Sequence, residues 1–301
     1  MTNGPFEVVV VGNVGIDTNV YLPGRDVDWT VEANFTQNLD YVGQAGGYTS
    51  RGFAQLGRRT AFVGAVGDDW GGYLIRQALG GDGVDLSALF LDPAGTSRSV
   101  NIMAADGGRK NFYDGKSHMT LTPDLAPMRR VLAGARLAHV HLPNWARRGL
   151  PIARALGVTI ACDLQDVIDP NDPYRQDFIA AADILFFSAA NHADPAPLMA
   201  AFLARNPRLM MVAGMGARGA ALGGPDGMEV FPPPSLDLPI VDTNGAGDAL
   251  AVGFLTGYVL EGRDAPSALR RGQIAARWTC AQKASSSGLI TRERLDAYDA
   301  G

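Results

Sequence analysis

Between residues 137 and 213 the chain repeats one rhythm. Apolar runs at Leu137–Leu142, Val158–Asp163, Asp183–Phe187 and Leu209–Ala213 alternate with helix-patterned segments at Arg147–Leu156, Tyr174–Ala181 and Pro195–Ala204. The runs are largely apolar on both sides, so both faces need cover. That is the property of parallel strands joined by crossover helices. Phe6–Val11, closed by Gly12, and Thr60–Ala65 are further runs of this kind. Helices are expected at Gly47–Leu56 and Gly71–Leu79, and again near 246–260, 265–283 and 291–298, beyond Phe231-Pro232-Pro233-Pro234. The pattern predicts an α/β protein built on a βαβ sheet covered on both faces.

Two stretches break the rhythm. Residues 18–45 are polar, with single apolar residues at Val31, Phe35, Leu39 and Tyr41, which suits exposed strands or a flap. Residues 97–113 read as a hairpin turning at Asp106-Gly107-Gly108. The chain has 301 residues, 47% of them hydrophobic and 19% charged, ample for one large domain with an appendage. A net charge of −5 argues against a nucleic-acid partner but leaves room for a small anion in a local cradle. The N-terminus lacks a signal peptide's basic start, and no apolar run is long enough to span a membrane. Two cysteines, Cys162 and Cys280, are too few for a disulfide framework. A cytoplasmic protein without a membrane partner is expected.

The stretch VDTNGAGDAL, residues 241–250, carries the strongest chemistry. Apolar residues at Leu250, Phe254, Leu255, Val259 and Leu260 make a helical stripe, so Gly245, Ala246 and Gly247 fall at a helix N-terminus. The first amides of a helix lack internal partners, and its dipole favours negative charge there. Glycines let a ligand come close. The combination reads as an anion hole with the carboxylate of Asp248 beside it, fit for a transferring phosphoryl group and a base. A capping aspartate behind a glycine turn is the plainer alternative. A helix N-terminus lowers a carboxyl pKa, so a base here requires a late proton transfer.

Competing motifs fail. No Walker sequence is present, because Lys110 stands where Gly115-Lys116-Ser117 would need a glycine. Gly12-Asn13-Val14-Gly15 does not complete a dinucleotide fingerprint. Asp17, just past the first strand, can hold sugar hydroxyls or be a solvated loop acid. Gly46-Gly47 allows close ligand approach or merely a turn. Gly216-Ala217-Arg218-Gly219 reads equally as a nucleotide loop or a hairpin turn. His139 and His141 alternate on one strand face with no nearby cysteine or carboxylate to complete a metal site, so they read as structural.

With these residues in place, the sequence resembles the ribokinase-like sugar kinases of the PfkB family across nearly its whole length. Asp242-Thr243-Asn244-Gly245-Ala246-Gly247-Asp248 matches the family signature D-T-x-G-A-G-D. Weaker matches follow the family order at Gly12 to Asp17, Gly46-Gly47, Gly64 to Asp69 with Gly71, and Gly216 to Gly219. The resemblance implies a three-layer α/β/α sandwich with a mostly parallel central sheet, and a small β lid made from 18–45 and 97–113 within one domain, 1–301. It implies Asp248 as base and Gly245, Ala246 and Gly247 as the phosphoryl hole. Asn13, Asp17, Gly46 and Gly47 would bind the acceptor. Ser188, Asn191, Gly216, Arg218, Gly219 and Gln273 would border the nucleotide. ATP and Mg²⁺ would be the cofactors, with K⁺ or another monovalent cation at Asp242 and the Asn244 carbonyl, and a homodimer could form through the lid.

The chain departs from the family at three places. Ser188-Ala189-Ala190-Asn191 lacks the carboxylate of the family's N-x-x-E. Arg51 stands near the usual place of a sugar-binding asparagine, to contact an acidic acceptor or to face solvent. The lid has few aromatics beyond Phe35, Tyr41, Phe112 and Tyr113 for stacking a nucleoside base. The expected activity is transfer of the γ-phosphate of ATP to a hydroxyl, most simply a primary one, of a small ribose- or fructose-like sugar. A nucleoside kinase and a non-catalytic nucleotide- or sugar-binding regulator are the alternatives.

Overall fold

The computed structural model describes residues 5–106 and 108–300; Gly107, part of the expected lid turn, lies outside them. In chain order the elements begin with β1 (Val8–Val11), β2 (Gly15–Tyr21), β3 (Gln37–Gly43), α1 (Ala45–Gln55), β4 (Thr60–Val66), α2 (Trp70–Gly81) and β5 (Asp85–Leu91). Next come β6 (Ser97–Met103), β7 (Arg109–Asp114), α3 (Leu125–Leu132), β8 (Leu137–Val140), α4 (Leu150–Ala155), β9 (Thr159–Asp166) and α5 (Gln176–Ala181). The chain continues through β10 (Ile184–Ser188), α6 (Ala196–Arg205), β11 (Met210–Gly214), β12 (Ala220–Gly224), β13 (Gly227–Phe231), α7 (Ala246–Leu255), α8 (Ala265–Cys280) and α9 (Arg292–Ala300).

Among the described residues, nine strands form the main sheet in the order β13-β12-β11-β10-β9-β8-β1-β4-β5. Pairing is parallel from β11 through β5, and the β12–β13 hairpin extends the other edge antiparallel. Because side chains alternate along a strand, β1 feeds two cores. Val9 and Val11 pack with Met128, Trp145 and Phe178 beneath α3 to α6. Val8 and Val10 pack with Phe53, Phe186 and Phe254 beneath α1, α2, α7 and α8. Each valine gains about 1.5–3 kcal/mol on full burial, so the all-valine β1 favours the sheet centre, where cover exists on both sides. This is a three-layer α/β/α arrangement.

The segments that broke the rhythm form a separate four-stranded sheet, ordered β3-β2-β6-β7. One face of it is polar, with Asp17, Asn19, Ser97, Ser99 and Asn101 buried. Several elements differ from expectation. β5 and the β12–β13 hairpin were not foreseen; β5 and β13 are sheet edges with part-exposed side chains and no continuous apolar run. Helix α1 starts at Ala45, so Gly46 and Gly47 lie inside its first turn rather than before it. The helix foreseen at 246–260 stops at Leu255 and continues as a wider turn over Thr256–Leu260.

Candidate active site

The site forms where the carboxyl ends of the parallel strands meet the polar face of the lid, the usual ligand position in an open α/β sheet. Gly245 caps α7 in the left-handed region, φ 72°, and a Cβ there would stand 2.6 Å from the Tyr48 ring. Glycine is therefore required twice, by backbone sign and by space. Tyr48 is itself fixed by Ser285, whose Oγ lies 3.0 Å from the phenol oxygen. Behind this turn Gly247 is exposed, and open space surrounds its Cβ position.

Asp248 sits in the first turn of α7, half-buried, with Oδ1 fully buried and without a hydrogen-bond partner. Burial raises its pKa well above the ordinary value, and the charges of Asp163 and Asp17 raise it further, while Arg109 opposes them. This reverses the expected sign. Loss of water around the carboxylate outweighs the helix N-terminus, so the group is a better proton acceptor than its position in sequence implied.

Two other buried carboxylates act on Asp248, each held in the same way. Gln44, at φ 62°, donates its amide to Oδ2 of Asp17 at 3.2 Å. Gln165, at φ 59°, donates its amide to Oδ1 of Asp163 at 2.8 Å. Positive φ at a non-glycine residue is costly and marks places where the fold enforces a geometry. Burial pushes Asp17 and Asp163 up to about 6 in each case. Oδ1 of Asp17 is buried with no partner. Asn13 reaches the same corner, donating to the Gln44 side chain at 3.1 Å. Gly46 and Gly47 have packing roles: added Cβ atoms would meet the Asn13 carbonyl at 2.6 Å and Val14 at 3.0 Å.

The lid grips the signature. Asn19 and Tyr21 of β2 donate to Oδ2 of Asp242 at 2.8 and 2.7 Å, and the Asn244 amide donates to Oδ1 at 2.8 Å. The Asn244 carbonyl accepts from Ser285 at 2.6 Å. Arg109 of β7 donates to the Asn244 side chain. The oxygens expected to hold a monovalent cation are thus already taken by protein donors, and a guanidinium lies beside them. These residues do not fit that ion. On the same lid face a row of side chains follows the strand register. Asn111 donates to Asn101, and Asn101 to Asn19, each at 2.8 Å, with Tyr41 donating to Asn19 at 3.0 Å.

In the segment expected to border the nucleotide, β10 ends at Ser188, half-buried, with Asn191 exposed in the following loop. Strand register places exposed Asp166, the last residue of β9, opposite Ser188. It supplies a carboxylate where 188–191 has none, so an oxygen-rich set fit for the water shell of Mg²⁺ does exist here. Gly216 and Gly219 take φ of 61° and 95° in the turn after β11. Arg218 points back, donating to the carbonyls of Ala189, His192 and Ala193 and tying the two loops together. Gln273 is buried and donates to the Phe231 and Pro232 carbonyls at 3.0 and 3.1 Å. Arg51 neither faces solvent nor is free for an acceptor. It pairs with Asp82 at 2.5 Å and donates to the Ser286 carbonyl at 3.0 Å, because that segment folds back over α1.

Sequence reasoning overlooked Arg109, Asn19, Asn101, Asp163 and Asp166. Four of them had no signal beyond lying on strands. Asp163 stood two residues before a glutamine in an apolar run, and only the neighbouring strand shows what it faces.

Similarity to known proteins agrees with this geometry. The pattern of the pfkB family carbohydrate kinases matches residues 6–292. An acarbose 7(IV)-phosphotransferase of an Actinoplanes species is 31% identical over 294 residues, covering 96% of this chain and 97% of the relative. An ATP-dependent ribose-1-phosphate kinase of Halopiger xanaduensis is 29% identical, over 90% of this chain and 94% of its own. The structure of the microbiome-derived acarbose kinase Mak1 superposes with a TM-score of 0.89 at 31% identity, covering 98% of this chain and 99% of that one. Signature, fold and relatives converge, and the chain belongs to the pfkB family of carbohydrate kinases, ATP-dependent enzymes that phosphorylate sugars.

Proposed function

We propose that this kinase transfers the γ-phosphoryl group of ATP to a primary hydroxyl of a sugar or glycoside bound against the polar face of the lid. The observation that carries the reading is Asp248, with its buried, unpartnered oxygen behind Gly245-Ala246-Gly247. Catalysis of this kind is mainly positioning and charge stabilisation. Asp248 accepts the hydroxyl proton. The amides at the start of α7 face the transferring group, and Arg109 brings a positive charge to the same cleft. Asp17 and Asn13 hold the acceptor. Mg²⁺ would arrive with the nucleotide, its water shell met by Ser188, Asn191 and Asp166, and would neutralise charge on the phosphates.

The row Asn19–Asn101–Asn111 favours a polyhydroxylated acceptor over a nucleoside. Side-chain amides match hydroxyl groups, whereas a base needs an aromatic platform. Phe112 is exposed on β7, and Tyr41 is buried with its hydroxyl bonded to Asn19. Two of the relatives named above are described as acting on acarbose, which supports including oligosaccharides among the acceptors tested. An ADP-release screen over ribose, fructose, maltose, acarbose and adenosine tests the reading. Turnover with a sugar or glycoside and none with adenosine is expected. Turnover with adenosine alone would reverse it, and ATP binding without turnover on any acceptor would point to a regulator.

A further inference from the structure

His139 and His141 stand on one face at the end of β8. The β8–β9 register, with Val140 opposite Cys162, brings Asp163 level with His141. All three residues are buried, and one ligand atom from each lies within 4.8 Å of the others. The carboxylate that the sequence lacks near these histidines is supplied by the neighbouring strand. We propose that His139, His141 and Asp163 form a metal site for one zinc-class divalent ion beneath the cleft, a role independent of the phosphotransfer reading.

The hydrogen bonds fix one ligand's tautomer. The Thr49 hydroxyl donates to the Ala45 carbonyl at 2.8 Å, so its 3.1 Å contact with Nε2 of His141 must be accepted from an N–H. Nδ1 of His141 then carries a bare lone pair, and no donor among the described residues meets it. An imidazole whose far nitrogen is held by an outer partner is the usual form of a metal-ligating histidine. His139 is fully buried, and neither ring nitrogen has a partner among the described residues. Its ring is held edge-on by Phe53 and Phe186 at 6.1 and 6.0 Å. Asp163 gives one oxygen to Gln165 and keeps the other. Buried polar atoms left in this state are rare in native cores and require a partner.

Two nitrogens and one carboxylate oxygen suit Zn²⁺ with a fourth position open. Mg²⁺ wants six oxygens. Bonds of about 2 Å put tetrahedral ligands about 3.3 Å apart, so the three side chains need to close by no more than about 1.5 Å from the 4.8 Å limit.

The test uses the purified full-length chain, stripped with chelator and then incubated with Zn²⁺ or Co²⁺ and desalted. About one equivalent of Zn²⁺ per chain, a tetrahedral Co²⁺ visible band, and a rise in Tm with Zn²⁺ but not Mg²⁺ are expected. His139→Phe and Asp163→Asn, checked for folding by circular dichroism, should lose the band. The wild-type measurements stand even if a variant misfolds. A folded wild type that retains no Zn²⁺ and shows no Co²⁺ band would overturn the proposal and leave a buried water between the three groups. Undiminished binding in a folded His139→Phe chain would overturn it as well, by placing the ion elsewhere.

Discussion

Asp17 should hold the protein below the stability its fold could reach, and Asp17→Asn should release that strain. Its carboxyl is pushed from 3.8 up to about 6, mainly by burial, with the Gln44 amide as a partial offset. A shift of about two units at 1.36 kcal/mol per unit is about 3 kcal/mol. The folded chain binds this proton more tightly than the unfolded chain. The stability it confers is therefore complete below pH 3.8 and is lost as pH rises through about 6. Asparagine keeps an oxygen for the Gln44 amide and carries no charge to desolvate. At pH 8 the variant should gain up to about 3 kcal/mol, about 6 °C in Tm at roughly 2 °C per kcal/mol for a chain of this size. At pH 4.5 the two proteins should melt within about 2 °C of one another. The remaining buried carboxylates titrate in both proteins and largely cancel in the difference. Thermal denaturation at both pH values, without ligands, decides the matter. A variant less stable than wild type at pH 8, or equally stabilised at both pH values, would refute the argument. The same change should raise the acceptor KM, since a site group is being exchanged for stability.

Four further outcomes follow from the site. Asp248→Asn should lower kcat by about two or more orders of magnitude while nucleotide binding, read by calorimetry, stays within about twofold; near-normal turnover would remove its role. Because the Asp248 pKa is raised, the proton must be lost for activity, so the acid limb of kcat against pH should lie well above 3.8; a limb at an ordinary carboxylate value would contradict the burial argument. Replacing K⁺ by tetramethylammonium should change kcat by less than about twofold, since the Asp242 and Asn244 oxygens are taken by protein donors; strong K⁺ activation would show that those bonds give way to the ion. Gly245→Ala should cost about 1–3 kcal/mol for its φ alone, and more for the clash with Tyr48, read as a lowered denaturation midpoint; an unchanged midpoint would mean that α7 starts differently.

The parallel sheet and the phosphate-side glycines could be read from the sequence because their signals are local. A valine run needs cover on both faces wherever it lies, and Gly245 to Gly247 ahead of an apolar helix specify an N-terminal turn. What stayed hidden depends on strand order. His139 and His141 were read as structural because their carboxylate lies 22 residues on and arrives only through β8–β9 pairing. Asp166 reaches Ser188 by the same means. Arg51 alone does not show whether it meets an acceptor or solvent, because its partner, Asp82, follows α2 and is 31 residues away. β5 and the β12–β13 hairpin escaped because outer strands can be short on apolar residues when one side stays wet.

The lid does more than roof the acceptor. Asn19, Tyr21 and Arg109 belong to the four-stranded sheet, which the proposed function sets over the acceptor, and their donors also hold Asp242 and Asn244 in the loop just ahead of α7. On that reading, the part that would sense the acceptor is mechanically the part that shapes the loop before α7. On the proposed function, lifting the lid would break those bonds together, and the loop would lose its clasp as water entered. Such a kinase would waste little ATP: without a sugar to draw the lid down, the geometry that could pass a phosphoryl group to water is itself dismantled.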